Sequence, residues 1–155
     1  MNSKEKINIY SFDVNDLLTD SININDKFIK EAGTIASLFK KVDFQSLYNE
    51  IGELLIRMKA KLEEIINFSN ENKNYLTHDL AVYLDFLIKY LSSLFNSISI
   101  LNRNVGHLYE KSQRTGKFSL WQQFRESRDL NKSIEEYQKI GIKLNQYYKA
   151  MYGGN

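Results

Sequence analysis

Residues Leu80 to Leu108, LAVYLDFLIKYLSSLFNSISILNRNVGHL, decide the fold. Leu80, Leu84, Leu87, Leu91, Leu94, Ile98, Leu101, Val105 and Leu108 follow one another at alternating spacings of four and three without a miss. Apolar residues kept in this rhythm over about four heptads specify a long α-helix that lays one stripe against partner helices. At about 1.5 Å per residue the stripe runs roughly 40 Å, longer than an ordinary globular helix. Tyr83, Phe86, Tyr90 and Phe95 widen the apolar face beyond that stripe. A helix apolar over so much of its circumference is either surrounded by neighbours or shared with a second copy.

The flanking sequence supplies partners in the same rhythm. Upstream, Phe44, Tyr48, Ile51, Leu55, Met58, Leu62 and Ile65 predict a helix over 43–69 capped by Asp43. Before it, Phe28, Ala32, Ile35, Phe39 and Val42 predict another over 26–41, capped by Asn25 or Asp26. The phase jumps between Val42 and Phe44, so a turn or stutter is expected at 40–43. The central helix is expected over 77–111. Downstream, Ser119 and Gln122 form a capping box, and Leu130, Ile134, Tyr137, Leu144, Tyr148 and Met151 predict a last helix over 119–151, with Gly141 as the gap in its seam. Residues 1–24 read as a poorly defined tail: Ile7 and Ile9 alternate like a strand, while Tyr10, Val14 and Leu17 fit a helical face.

An antiparallel hairpin pairs residues whose numbers sum to a constant. The turn before Leu120 sets that sum near 231 for the last two long helices, which puts Leu101 by Leu130, Leu94 by Tyr137 and Leu87 by Leu144. The preceding pair is expected to meet at a sum near 143. On that register the 43–69 helix ends about ten residues short of the central helix's end. Either the first helix continues upward from the second, or it folds back and leaves 102–128 protruding.

Composition agrees with an all-α reading. Across 155 residues there is no proline and only seven glycines, so the usual punctuation of β-hairpins and long loops is nearly absent. The expected architecture is one elongated antiparallel bundle of three to four long helices with heptad, coiled-coil-like packing. With no cysteine, thiolate zinc sites and cysteine nucleophiles are excluded. Neither His78 nor His107 follows a glutamate by three residues, so a carboxylate-bridged dimetal bundle is not expected. No spacing points to a small-molecule cofactor. The start lacks an apolar run of signal-peptide length, which predicts a cytoplasmic protein. The most apolar window, Tyr90–Leu101, is far short of the ~20 residues that cross a bilayer, so no membrane span is expected.

The net charge of +2 conceals an asymmetry. Up to Leu101 there are eleven basic and fourteen acidic residues; from Asn102 onward there are ten and five. Arg103, His107 and Lys111 stand at i, i+4, i+8, Arg114 sits in the following turn, and Lys117, Trp121, Arg125, Arg128 and Lys132 share one face of the last helix. Basic side chains with an interleaved aromatic suit phosphate contacts with base stacking, or docking of an acidic protein surface.

Within this region RNVGHLY, Arg103 to Tyr109, resembles the signature of HEPN domains, in which an arginine, often followed by asparagine, precedes a histidine by a few residues. The family comprises four-helix bundles that include ribonucleases of toxin–antitoxin and antiviral systems. The resemblance implies an RNA-cleaving pair at a dimer interface, with Arg103 and His107 at the matching positions. Three residues separate the two here, where the family has four to six. The leading expectation is a non-enzymatic binding or adaptor protein that docks a protein partner or a second copy, through the basic tip or by helix–helix association. RNA binding, with cleavage as its enzymatic form, is the alternative.

Overall fold

A computed structural model describes residues 2–32, 43–113 and 120–153. It is an all-α bundle of four helices: α1 (Ser3–Ala32), α2 (Phe44–Asn72), α3 (His78–Ser112) and α4 (Leu120–Tyr152). Successive helices run antiparallel. Lys27–Glu50, Arg57–Asp20, Lys61–Asp13 and Lys6–Glu64 tie α1 to α2 along their length, so α1 folds back on α2. Residues 33–42, which include the second half of the helix expected over 26–41 and most of the turn expected at 40–43, lie outside the described residues.

The stripe that opens the sequence reading forms the centre. Leu84, Leu87, Leu91, Leu94, Leu101 and Val105 are almost fully buried, and α3 packs against each of the other three helices. Its width therefore has an explanation inside one chain: Tyr83 meets Tyr148 and Tyr152 of α4, and Tyr90 meets Tyr137. By length and composition alone α3 is apolar enough to cross a membrane. In the fold those side chains face the neighbouring helices, as expected of a bundle's inner helix.

The α3–α4 register follows the expected sum. Ser97 meets Ser133, Tyr90 meets Gly141 and Tyr83 meets Tyr148, numbers summing to 230 or 231. Gly141, the gap in the seam, is where the Tyr90 ring enters: a Cβ there would lie 2.9 Å from Tyr90 Cε2.

The α2–α3 register differs from the expected one. Tyr48 lies against Gly106, a sum of 154 in place of 143, with room for a Cβ at Gly106 only 3.2 Å from the tyrosine ring. The helix runs on to Asn72, whose side-chain amide donates to the Phe68 carbonyl, so the turn into α3 comes later than the asparagine-rich sequence suggests. Consequently α2 accompanies α3 nearly to its end, and the described part of α3 beyond residue 102 does not protrude from the bundle as expected.

The largest departure is at the amino end. In place of a tail over 1–24 and a helix starting at 26, one helix runs from Ser3 to Ala32. Asn2 and Glu5 form a reciprocal cap: Asn2 Oδ1 accepts from the Glu5 N–H at 2.8 Å, and the Glu5 carboxylate accepts from the Asn2 N–H at 3.0 Å. Ile7, Tyr10, Val14, Leu17 and Ser21 are buried, with Ile24 and Phe28 packed behind them, in the same three–four rhythm. Serine at the fifth position and the many asparagines hide that rhythm from a hydrophobicity reading. Asn25 and Asp26 are interior to the helix and cap nothing.

α1, α2 and α3 pack on one another while α4 packs on α3 alone, so among the described residues the bundle is open on two flanks, between α4 and α1 and between α4 and α2. Among the described residues the α1 and α4 backbones nowhere approach within 8 Å between Cα atoms, although helices in contact usually lie about 8–10 Å apart between axes. They are joined at one end, where the Tyr148 hydroxyl donates to Asn8 Oδ1 at 3.1 Å and the Tyr152 hydroxyl to the Lys4 carbonyl at 2.9 Å. From there a groove runs between them with α3 as its floor.

Candidate functional site

Two places in the bundle combine chemistry with access. The first holds the sequence candidates. On α3, Arg103 is exposed, His107 one turn later is half-buried, and Lys111 is exposed. Spacing of four keeps them on one flank of the helix, where His107 meets Glu126 of α4. There the structure adds a residue that the sequence did not flag: Glu126 is 7% exposed, and its Oε1 lies 2.6 Å from His107 Nδ1. A carboxylate only accepts, so the imidazole N–H donates to it. The Gln122 amide donates to the same oxygen at 3.3 Å. Asn104, also buried, donates weakly to the Glu126 carbonyl at 3.4 Å, while its own Oδ1 has no partner among the described residues.

Of the remaining basic candidates, the two that are described do not converge on this cluster. Arg125 and Arg128 are exposed on α4. At about 100° per residue, Arg128 points roughly 160° away from the buried Glu126. Arg114 and Lys117 lie outside the described residues, as does the side chain of Trp121 at the start of α4. The arrangement is thus a histidine anchored by a buried carboxylate, with one exposed arginine a turn away. Arg103 takes part in no ion pair among the described residues. A ring held through Nδ1 is fixed in orientation, the usual device for presenting Nε2 to a proton donor or acceptor. Among the described residues no three histidine, aspartate or glutamate side chains group as metal ligands.

The second place is the α1–α4 groove. Leu87, Tyr90, Leu94 and Ile98 of α3 floor it, with Leu144 and Ile134 on the α4 side. Its walls carry amides and hydroxyls: Ser11, Asn15 and Asn25 from α1, Gln138 and Asn145 from α4. Among the described residues no formally charged side chain lines it. In a chain that is 26% charged, a neutral strip of this length is conspicuous, since solvated helix faces are normally dense in lysine and glutamate. Phe12 and Ile22 on the α1 wall are 57% and 47% exposed. Ile29 is exposed one heptad beyond Ile22, and Ile142 is exposed on α4.

Neither feature was wholly legible. Glu126 could have been found by applying the α3–α4 register, which sets positions 124–128 alongside 103–107; an isolated glutamate on a helix gives no other sign. The groove could not be found while residues 1–24 were read as a tail, because that reading removes one wall. Compared with known proteins, the chain matches no family model, no curated protein and no solved structure.

Proposed function

We propose that this chain is a non-enzymatic docking protein that engages a partner by helix–helix association along the α1–α4 groove. One observation carries the reading: α1 and α4 do not meet along most of their length among the described residues, and the groove between them has uncharged walls with Phe12 and Ile22 exposed at its α1 lip. Phe12, Ile22 and, one heptad on, Ile29 stand exposed along α1, and a row of exposed apolar side chains on a helix is where an amphipathic partner helix anchors. The test is a photo-crosslinking residue placed at Ile22, in the groove, or at Ile56, which is 71% exposed on α2. Discrete adducts from position 22 and none from position 56 are expected. Equal adducts from both, or none from position 22, refute the reading.

RNA cleavage is a second reading, favoured by the Glu126-anchored His107 with Arg103 one turn earlier. In it His107 moves a proton and Arg103 stabilises charge on phosphate. Arg103→Ala and His107→Ala should each abolish cleavage of a mixed-sequence RNA, with Arg103→Ala leaving thermal stability unchanged. Parent protein that leaves the RNA intact, or variants that cut as well as the parent, remove it. The basic flank also gives a salt-sensitive RNA affinity in this reading, falling steeply between low and physiological salt.

A further inference from the structure

We infer that the groove is filled by a second copy of this chain, the α1 helix of each protomer lying in the α1–α4 groove of the other about a two-fold axis. The inference rests on the docking reading above and names its occupant.

α1 carries two stripes. The inner one faces α2 and α3; the outer one is Phe12, Asn15, Thr19, Ile22, Asp26 and Ile29, spaced three, four, three, four, three. All six are exposed. Its apolar members Phe12, Ile22 and Ile29 are exposed on a helix whose inner stripe is already satisfied, and they are apolar surface that a second helical neighbour would cover. The outer stripe extends roughly 26 Å at 1.5 Å per residue, and the α1 wall it must match spans Ser11 to Asn25, about 21 Å. The ridge and one wall of the groove are the same helix. Isologous pairing therefore buries both ridges and both grooves in one contact, which an unrelated helix filling one groove does not do.

Charge selects the same arrangement. In a two-fold contact, groups near the axis meet their own copies, so charges there repel while amides and hydroxyls, each both donor and acceptor, pair with their own kind. The groove walls are made of such groups. Asp26 is the one charged member of the outer stripe. A parallel pairing would set Asp26 against its own copy. The antiparallel register that alternates the stripes, with residue numbers summing to 41, sets Phe12 on Ile29, Thr19 on Ile22 and Asn15 on Asp26. The asparagine amide then donates to the aspartate carboxylate, a charge-assisted bond. This contact lies on the α1 side of α3, away from Arg103 and His107, so it does not bring two such pairs together as the HEPN resemblance would require.

The test is the mass of the full chain in solution by sedimentation equilibrium across a concentration series. A dimer is expected for the parent. Ile22→Asp, an exposed position, should weaken dimerisation at least about tenfold with unchanged helical ellipticity and thermal midpoint, whereas Ile56→Lys on α2 should leave the dimer intact. Because the chain has no cysteine, Thr19→Cys with a short bismaleimide should give covalent dimer, and Ile56→Cys should not. A parent monomeric at millimolar concentration, or a dimer that Ile22→Asp does not weaken, overturns the inference. The photo-crosslink separates the two levels. An adduct at position 22 of any mass other than the doubled chain overturns the second copy and keeps the docking groove; no adduct at position 22 removes both.

Discussion

Replacing Gly141 by alanine sets two effects of similar size against one another. In a helix interior alanine is favoured over glycine by about 0.8–1 kcal/mol. The added Cβ, however, would sit 2.9 Å from Tyr90 Cε2 and 3.5 Å from Cδ2, where carbon atoms attract best at about 3.5–4.0 Å. The ring has little freedom to withdraw: Tyr90 is 7% exposed and packs edge-on against Tyr137, with centroids 6.1 Å apart. Overpacking of this kind costs about 1–3 kcal/mol, so a net loss near 1 kcal/mol is expected, or about 2–4 °C in midpoint for a chain of this size. The clash is specific to one ring, which makes the prediction a signed double-mutant cycle. In a Tyr90→Leu background the same alanine should stabilise, by about 0.5–1 kcal/mol, because only the helix preference is left. Urea unfolding followed by helical ellipticity gives all four corners. Equal stabilisation by Gly141→Ala in both backgrounds would refute the Tyr90–Gly141 contact and, with it, the α3–α4 register.

Glu126→Ala should cost about 1–3 kcal/mol in urea unfolding, since His107 and Gln122 lose a buried acceptor; a change within 0.5 kcal/mol would mean that the pair contributes nothing net. Asn104→Leu should raise stability, because a buried carbonyl oxygen without a partner is replaced by apolar surface, and a lowered midpoint would show that the amide is satisfied in solution. The Lys61 hydrogen bond, with Lys6 adding to it, holds the Glu64 carboxyl below its ordinary value of 4.5. Its contribution is therefore complete above that value and is lost as pH falls through the lower folded-state value. Glu64 is 42% exposed, so the effect is screened to a few tenths of a kcal/mol at most. The midpoints of the parent and Glu64→Gln should converge on acidification in low salt, and a constant gap would exclude the linkage. At the alkaline end, burial pushes the Tyr152 hydroxyl up to about 12, with Tyr83 and Tyr148 adding to it, and burial raises Tyr90 as well. Folding then holds these protons more tightly than the unfolded chain does. Stability should fall as pH rises above the ordinary tyrosine value of 10.0, with late tyrosinate absorbance and loss of helix developing together.

The sequence by itself determined the helices and the seams wherever one residue type filled the rhythm. Leu80 to Leu108 state the central helix because every seam position is leucine, isoleucine or valine, and hydrophobic spacing is a local property of the chain. The short stretch of sequence between α3 and α4 set their register, since few residues link the two helices and little freedom is left in their pairing. α1 was hidden because its seam passes through Ser21 and its surface is rich in asparagine, so its helical state comes from burial against α2 and α3 more than from local preference. Only the tertiary structure decided which flanks stay open. The groove exists because α1 leans on α2 and α3 while α4 leans on α3, leaving two walls that are more than 100 residues apart in sequence. The His107–Glu126 pair likewise joins residues nineteen apart across two helices. Such pairings are set by how helices dock, and docking depends on the summed shape of faces that no local pattern encodes.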